Sequence, residues 1–237
     1  MVNKMTKVHT TVICLLFLLC TSLNAQDYSA LDKLLTKYVS PSGSVDYAGL
    51  KGSKVELNNI YTSLTGVNPS SLATKDAQMA FWINLYNVAT LKLIVDNFPL
   101  KSITDLDKGK PWDVKRISVA GKSYSLNDIE NTKIRTFKDP RIHFAVNCAA
   151  KSCPPLLNSA FSPDKLNAQL ESQTKKFINN PKSGSLSSGK LVISKIFDWY
   201  KEDFGDVIAF INKYSSTKVG SDAKISYQEY DWSLNSK

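Results

Sequence analysis

Asp139-Pro140-Arg141-Ile142-His143-Phe144-Ala145-Val146-Asn147-Cys148-Ala149-Ala150-Lys151-Ser152-Cys153-Pro154-Pro155-Leu156-Leu157 is the stretch around which the rest of the chain is read. It opens on a proline turn. Ile142, Phe144 and Val146 then alternate with Arg141, His143, Ala145 and Asn147, a period of two that predicts a half-buried strand. After Asn147 the pattern gives way to small residues, two cysteines and a double proline, which end regular structure. A strand that delivers reactive side chains into its exit loop is a common way to build a site.

The inventory of reactive residues sharpens that reading. The chain has two histidines and four cysteines. His9, Cys14 and Cys20 fall in an N-terminal segment, residues 1–25, that reads as a secretory signal. Lys4 and Lys7 precede an apolar run from Val12 to Leu19, and Ser22-Leu23-Asn24-Ala25 places cleavage between Ala25 and Gln26. The apolar run is shorter than the ~20 residues a bilayer-spanning helix needs. Lipid anchoring at Cys20 is the weaker alternative, because bulky Leu19 stands where that signal wants a small residue. Processing leaves one histidine, His143, and two cysteines, Cys148 and Cys153, within eleven residues of one another. The expected location is secreted or periplasmic, where a disulfide is allowed.

Residues 26–237 suit a single domain with a sizeable core, since no interdomain linker or internal repeat interrupts them. No later stretch is apolar enough to cross a membrane. The formal charge of the whole chain is +9; losing Lys4 and Lys7 lowers it to +7. The remaining lysines are scattered, which fits a solubilising surface and no nucleic-acid interface.

Apolar spacing predicts helices over 27–39 and 50–64, with a short extended piece at Val45–Tyr47. The strongest helix follows Thr74, a cap, and Asp76, a first-turn acid. From Met79 to Leu91 it is apolar almost all round, so it should be central and buried. Asn84 and Asn87 interrupt that surface on one face. A buried amide without partners costs on the order of 1–3 kcal/mol, so both must be bonded. They either tie down a neighbouring loop or orient a catalytic group and its substrate. Further on, Trp112–Val119 predicts a strand, Ser125–Glu130 a capped helix start, and Ser162-Pro163 a helix running through Phe177. Lys190–Ser194 predicts a strand, Asp206–Tyr214 a helix and Ile225–Trp232 a closing strand. Asp198, Asp203 and Asp206 read as a solvated helix edge beside core aromatics. Helices and strands are interspersed without regular βαβ spacing, so the class is α+β: a central buried helix on a small, mostly antiparallel sheet.

Four stretches together resemble one family, the DUF547 domain: Ala80-Phe81-Trp82-Ile83-Asn84-Leu85-Tyr86-Asn87, Ser125-Leu126-Asn127-Asp128-Ile129-Glu130, Asp139 to Leu156, and Tyr230-Asp231-Trp232-Ser233-Leu234-Asn235. The likeness covers roughly 77–235. The family often has a histidine after the glutamate, where this chain has Asn131. The resemblance implies an α+β domain of exported bacterial proteins with no established reaction, distantly like the papain and transglutaminase fold group.

Two functions compete for these residues. In the first, a thiol hydrolase or acyl transferase acts on a peptide or amide bond. Cys148 is the nucleophile, His143 its general base, and Glu130 or an amide such as Asn84 orients the imidazole. Asn87, Asn147, Ser152 and Cys153 support the site or hold the substrate. A straight strand would put His143 about 16 Å from Cys148, so the chain must bend around Asn147; Cys153 is the alternative nucleophile. In the second, Cys148 and Cys153 close a small disulfide loop in a non-catalytic binding or scaffold domain. A redox pair ranks lower, since four residues rather than two separate the cysteines. One histidine and two cysteines also fall short of a structural zinc site. No metal and no cofactor are expected.

Overall fold

The computed structural model describes residues 26–237; the expected signal segment, with His9, Cys14 and Cys20, lies outside them. Three helices come first. Helix α1 (Ser29–Tyr38) buries Leu31, Leu34, Leu35 and Tyr38, the stripe its spacing predicts. Val45 pairs in β-bridges with Val39 and Ser236, the start of the expected extended piece, and Asp46 accepts a hydrogen bond from the Gly49 N–H at 2.8 Å to cap α2 (Tyr47–Gly52), which takes in Tyr47. The chain breaks at Ser53 and continues as α3 (Lys54–Thr65).

Helix α4 (Lys75–Asn97) is the centre of the molecule. Thr74 Oγ1 accepts from the Ala77 N–H at 3.0 Å, and every residue from Met79 to Leu91 is buried. A helix that is apolar all round needs neighbours on every side. Helices α2, α3 and α5 (Leu126–Ile129), with the π-helical turn Glu130–Ile134 that continues α5, supply them. The α+β class therefore holds, but the packing partner differs from expectation. A hairpin of β1 (Ile117–Val119) and β2 (Lys122–Tyr124) is one sheet. The other is mixed: β3 (Gly184–Leu186) pairs antiparallel with β4 (Lys190–Ile193), and β4 parallel with β5 (Lys224–Tyr227). Strands of three or four residues are too short to cover a 23-residue apolar helix.

Helix α6 (Leu166–Ile178) precedes the second sheet, and α7 (Ile196–Trp199), α8 (Lys201–Phe204) and α9 (Val207–Tyr214) fill the crossover between β4 and β5. These elements build a second apolar cluster around Phe144, Phe177, Phe197 and Phe204, beside the main one around α4.

The stretch from Asp139 is not a strand. Asp139 accepts from the Arg141 N–H at 3.0 Å, and Pro140–Phe144 winds into a 3₁₀ turn. The fixed φ of a proline behind a capping aspartate favours that turn over extension. Period two misleads here because Ile142 to Asn147 is buried on both sides. Ile142, Ala145 and Val146 join the main core, whereas Phe144 joins the second. His143 lies at the seam between them.

Candidate functional site

Loop 147–153 is held by its own side chains and by the C-terminal segment. Asn147 Nδ2 donates to the Pro154 carbonyl at 2.8 Å, and its Oδ1 accepts from the Ala149 N–H at 2.9 Å. Ala149 sits in the left-handed region at φ 63°, which reverses the chain. The N–H of Lys151 donates to the Ser233 carbonyl at 2.8 Å, and Ser152 Oγ accepts from the Asp231 N–H at 2.9 Å. Gly43, at φ 86°, lies so close to the double proline that a Cβ there would come within 2.5 Å of Pro155 Cβ.

The two amides of α4 are clamps on this architecture. Asn84 exchanges two hydrogen bonds with the backbone of Phe161, at 2.8 and 2.9 Å. Asn87 donates to the Ala145 carbonyl and accepts from the Asn147 N–H, both at 2.9 Å. Asn87 thus fixes the exit of the 3₁₀ turn one residue before Cys148.

The turn and loop bring Cys148, Cys153, His143 and Glu130 to the wall of one cavity of about 200 Å³. Its mouth is aromatic. The Trp199 and Trp232 rings stack at 5.9 Å, Trp112 lies 5.3 Å from Trp232, and Trp199 is 47% exposed. Asn84, Asn87, Asn147 and Ser152 do not line the cavity and act from behind it. A larger polar cavity of about 560 Å³, lined by Lys151, Lys182 and Lys195, lies on the far side of Cys153 and Tyr230, which border both.

His143, 2% exposed, is anchored away from the other expected residues. Its Nε2 meets Asp203 Oδ2 at 2.7 Å, and its ring stacks on Tyr200 at 4.0 Å. The imidazole is therefore oriented by Asp203, not by Glu130 or Asn84. Arg135 forks onto Asp203 at 2.7 and 2.9 Å and holds its carboxyl below the usual range, so Asp203 is an anion and can only accept. Nε2 carries the proton as a result, and the lone pair is on Nδ1. That atom is buried and has no hydrogen-bond partner. Burial lowers the His143 pKa to about 4 against the pull of Asp203, so the ring is neutral near pH 7.

Glu130 is 5% exposed. Burial raises its pKa, with the Tyr200 and Tyr86 hydroxyls opposing the shift. The Arg135 charge also opposes the shift, while Arg135 Nη1 donates to Asn131 Oδ1 at 2.8 Å. Asn131, where the family often has histidine, is thereby part of the Arg135–Asp203 support.

The two cysteines are free thiols in contact. Their sulfurs lie 2.7 Å apart, and the Cys148 N–H donates to Cys153 Sγ at 2.8 Å. The Tyr230 hydroxyl is 3.2 Å from Cys148 Sγ. Burial pushes the Cys148 thiol up, but hydrogen bonds from Cys153, Tyr230 and the Ala150 N–H outweigh it and leave the pKa below the ordinary value. Cys153 goes the other way: burial and the neighbouring Cys148 sulfur push its pKa well up. Of the two, Cys148 is the more acidic thiol. Among the described residues no group of three His, Cys, Asp or Glu side chains is gathered that could hold a metal ion.

A family model described as "Protein of unknown function, DUF547" matches residues 69–178. Those residues are a DUF547 domain. It contributes Asn84, Asn87, Glu130, His143, Asn147, Cys148 and Cys153. The rest of the site comes from beyond the matched residues: Asp203 at the end of α8, Trp199 in α7, and Tyr230 and Trp232 in the C-terminal segment. No curated protein and no solved structure matches the chain. Asp203 escapes a sequence reading because an acid in Lys201-Glu202-Asp203-Phe204 looks like any solvated helix edge. Tyr230 and Trp232 lie outside residues 69–178, and nothing in their spacing ties them to the cysteines.

Proposed function

We propose that the DUF547 site is a cysteine-dependent hydrolase or acyl transferase acting on a peptide or amide bond. The observation that carries this reading is the Asp203-anchored His143 ring. Its free, buried Nδ1 belongs to a side chain on the wall of the cavity that Cys148 also lines. A nucleophile, a neutral base and a carboxylate that fixes the base are the parts this chemistry needs, whatever their order in the chain.

In this mechanism His143 Nδ1 takes the thiol proton and Cys148 Sγ attacks the carbonyl carbon. The Tyr230 hydroxyl, beside the reacting sulfur, donates to the developing oxyanion. The carbon–nitrogen bond then breaks and the amine leaves with the proton from His143. Water, deprotonated by His143, or an acceptor amine next attacks the thioester, frees the acyl group and restores the thiol. Glu130, whose pKa burial raises, lines the same cavity wall. The aromatic mouth fits a flat or apolar group next to the scissile bond. Export, expected from residues 1–25, puts the reaction outside the cytoplasm.

The reduced protein should be treated with a peptidyl epoxide and the adduct located by peptide mass spectrometry. We expect one adduct, on Cys148, with the rate down on the order of 10²–10⁴-fold in His143→Gln. An unchanged rate in that variant would remove His143 from the mechanism.

A further inference from the structure

We propose that Cys148 and Cys153 are the attacking and resolving thiols of a dithiol that exchanges with an external disulfide, an activity separate from acyl transfer. Sequence spacing argued against a redox pair; geometry reverses that argument. Four residues separate the two cysteines, yet the loop folds back through Ala149 and brings the sulfurs within 2.7 Å. No covalent link is needed to hold them there. Asn147 fixes both ends of the loop through Ala149 and Pro154, and Ser152 ties its far side to Asp231.

The two sulfurs are also unequal in the way such a pair requires. Both line the aromatic cavity, but Cys148 is half-buried whereas Cys153 is only 8% exposed. An incoming disulfide meets Cys148 first. Attack by its thiolate on one sulfur of R–S–S–R breaks that bond, forms a Cys148–S–R mixed disulfide and releases one thiolate, which takes up a proton from water. Cys153, already in contact, then loses its proton to water and attacks Cys148 Sγ. This closes the Cys148–Cys153 disulfide and releases the second thiolate. One external disulfide is reduced to two thiols and two protein thiols are oxidised to one disulfide. In the closed form Cys148 has no free thiol, so acyl transfer is off until a reductant reopens it.

The test uses the mature chain, reduced, freed of reductant and mixed with 5,5′-dithiobis(2-nitrobenzoate). We expect two equivalents of thionitrobenzoate per protein, and an intact mass lower by two hydrogens with no adduct. Cys153→Ser should release one equivalent and keep a thionitrobenzoate adduct on Cys148. A wild-type protein that keeps one adduct, or one on each cysteine, overturns the proposal. This wild-type mass readout does not depend on either variant folding. His143→Gln is expected to leave the stoichiometry intact, so failure of the acyl-transfer mechanism and failure of the dithiol give different results.

Discussion

His143 decides how the site is read at the scale of single residues. Its Nε2 is committed to Asp203 and its ring to Tyr200, so the remaining function of the side chain is the lone pair on Nδ1. Asp203→Asn keeps the shape but loses the anion that selects this tautomer. We expect it to slow alkylation of Cys148 on the order of 10²–10⁴-fold, measured by the same epoxide labelling, and to lower the thermal midpoint, since the Arg135 fork loses its anion. Glu130 carries the opposite kind of signal. Its pKa is raised, so above the ordinary value of 4.5 the folded state keeps a proton that the unfolded chain has released, and stability declines with rising pH. Glu130→Gln removes that penalty. Its thermal midpoint at pH 7 should rise above the parent's, and the difference should vanish near pH 4.

Among the elements, α4 was legible from its apolar circumference, its Thr74 cap and its two amides, whose need for partners follows from burial alone. What those partners are was not legible, because a backbone carbonyl leaves no mark in a sequence. The Asp139–Asn147 stretch was misread for a related reason. Alternation signals a strand only when one face is solvated, and here a seam between two cores buries both. The correction shortens the path, since the 3₁₀ turn Pro140–Phe144 rises ~2 Å per residue rather than ~3.3, and both side chains reach the wall of one cavity. Asn87→Ala tests the clamp between α4 and this turn. It leaves the Ala145 carbonyl and the Asn147 N–H buried and unpaired, at ~1–3 kcal/mol each. We expect a loss on the order of 3 kcal/mol in urea unfolding. Ser152→Ala, whose bond to Asp231 is exposed, should cost ~1 kcal/mol or less.

Over the whole molecule, the site lies where two cores meet, and that junction ties stability to pH. His143 has its pKa lowered to about 4, so between 6.5 and 4 the unfolded chain takes up a proton that the folded chain refuses. Asp203, also lowered, loses its stabilising charge as pH falls through its folded value. Both effects weaken the fold on acidification, and His143 alone is worth on the order of 3 kcal/mol over its window. In Glu130→Gln, which removes the opposing effect of Glu130, the urea midpoint should therefore fall between pH 6.5 and 4, and fall less steeply when His143→Gln is added. The class, the central helix and the cluster of Cys148, Cys153, His143 and Glu130 could be read from the chain, since they rest on burial and on which reactive residues exist. Asp203 and the aromatic mouth could not, because only the fold carries α7, α8 and the C-terminal segment to the cysteine loop.

The most direct measurement is the pH dependence of iodoacetamide labelling on reduced protein, read separately for Cys148 and Cys153 by peptide mass spectrometry. We expect Cys148 to label rapidly near neutral pH, with its midpoint below the ~8.5 of an ordinary thiol, while Cys153 stays unmodified. Labelling of Cys153 first, or of Cys148 only above that pH, would contradict a Cys148 thiolate and with it the chemistry proposed for this site.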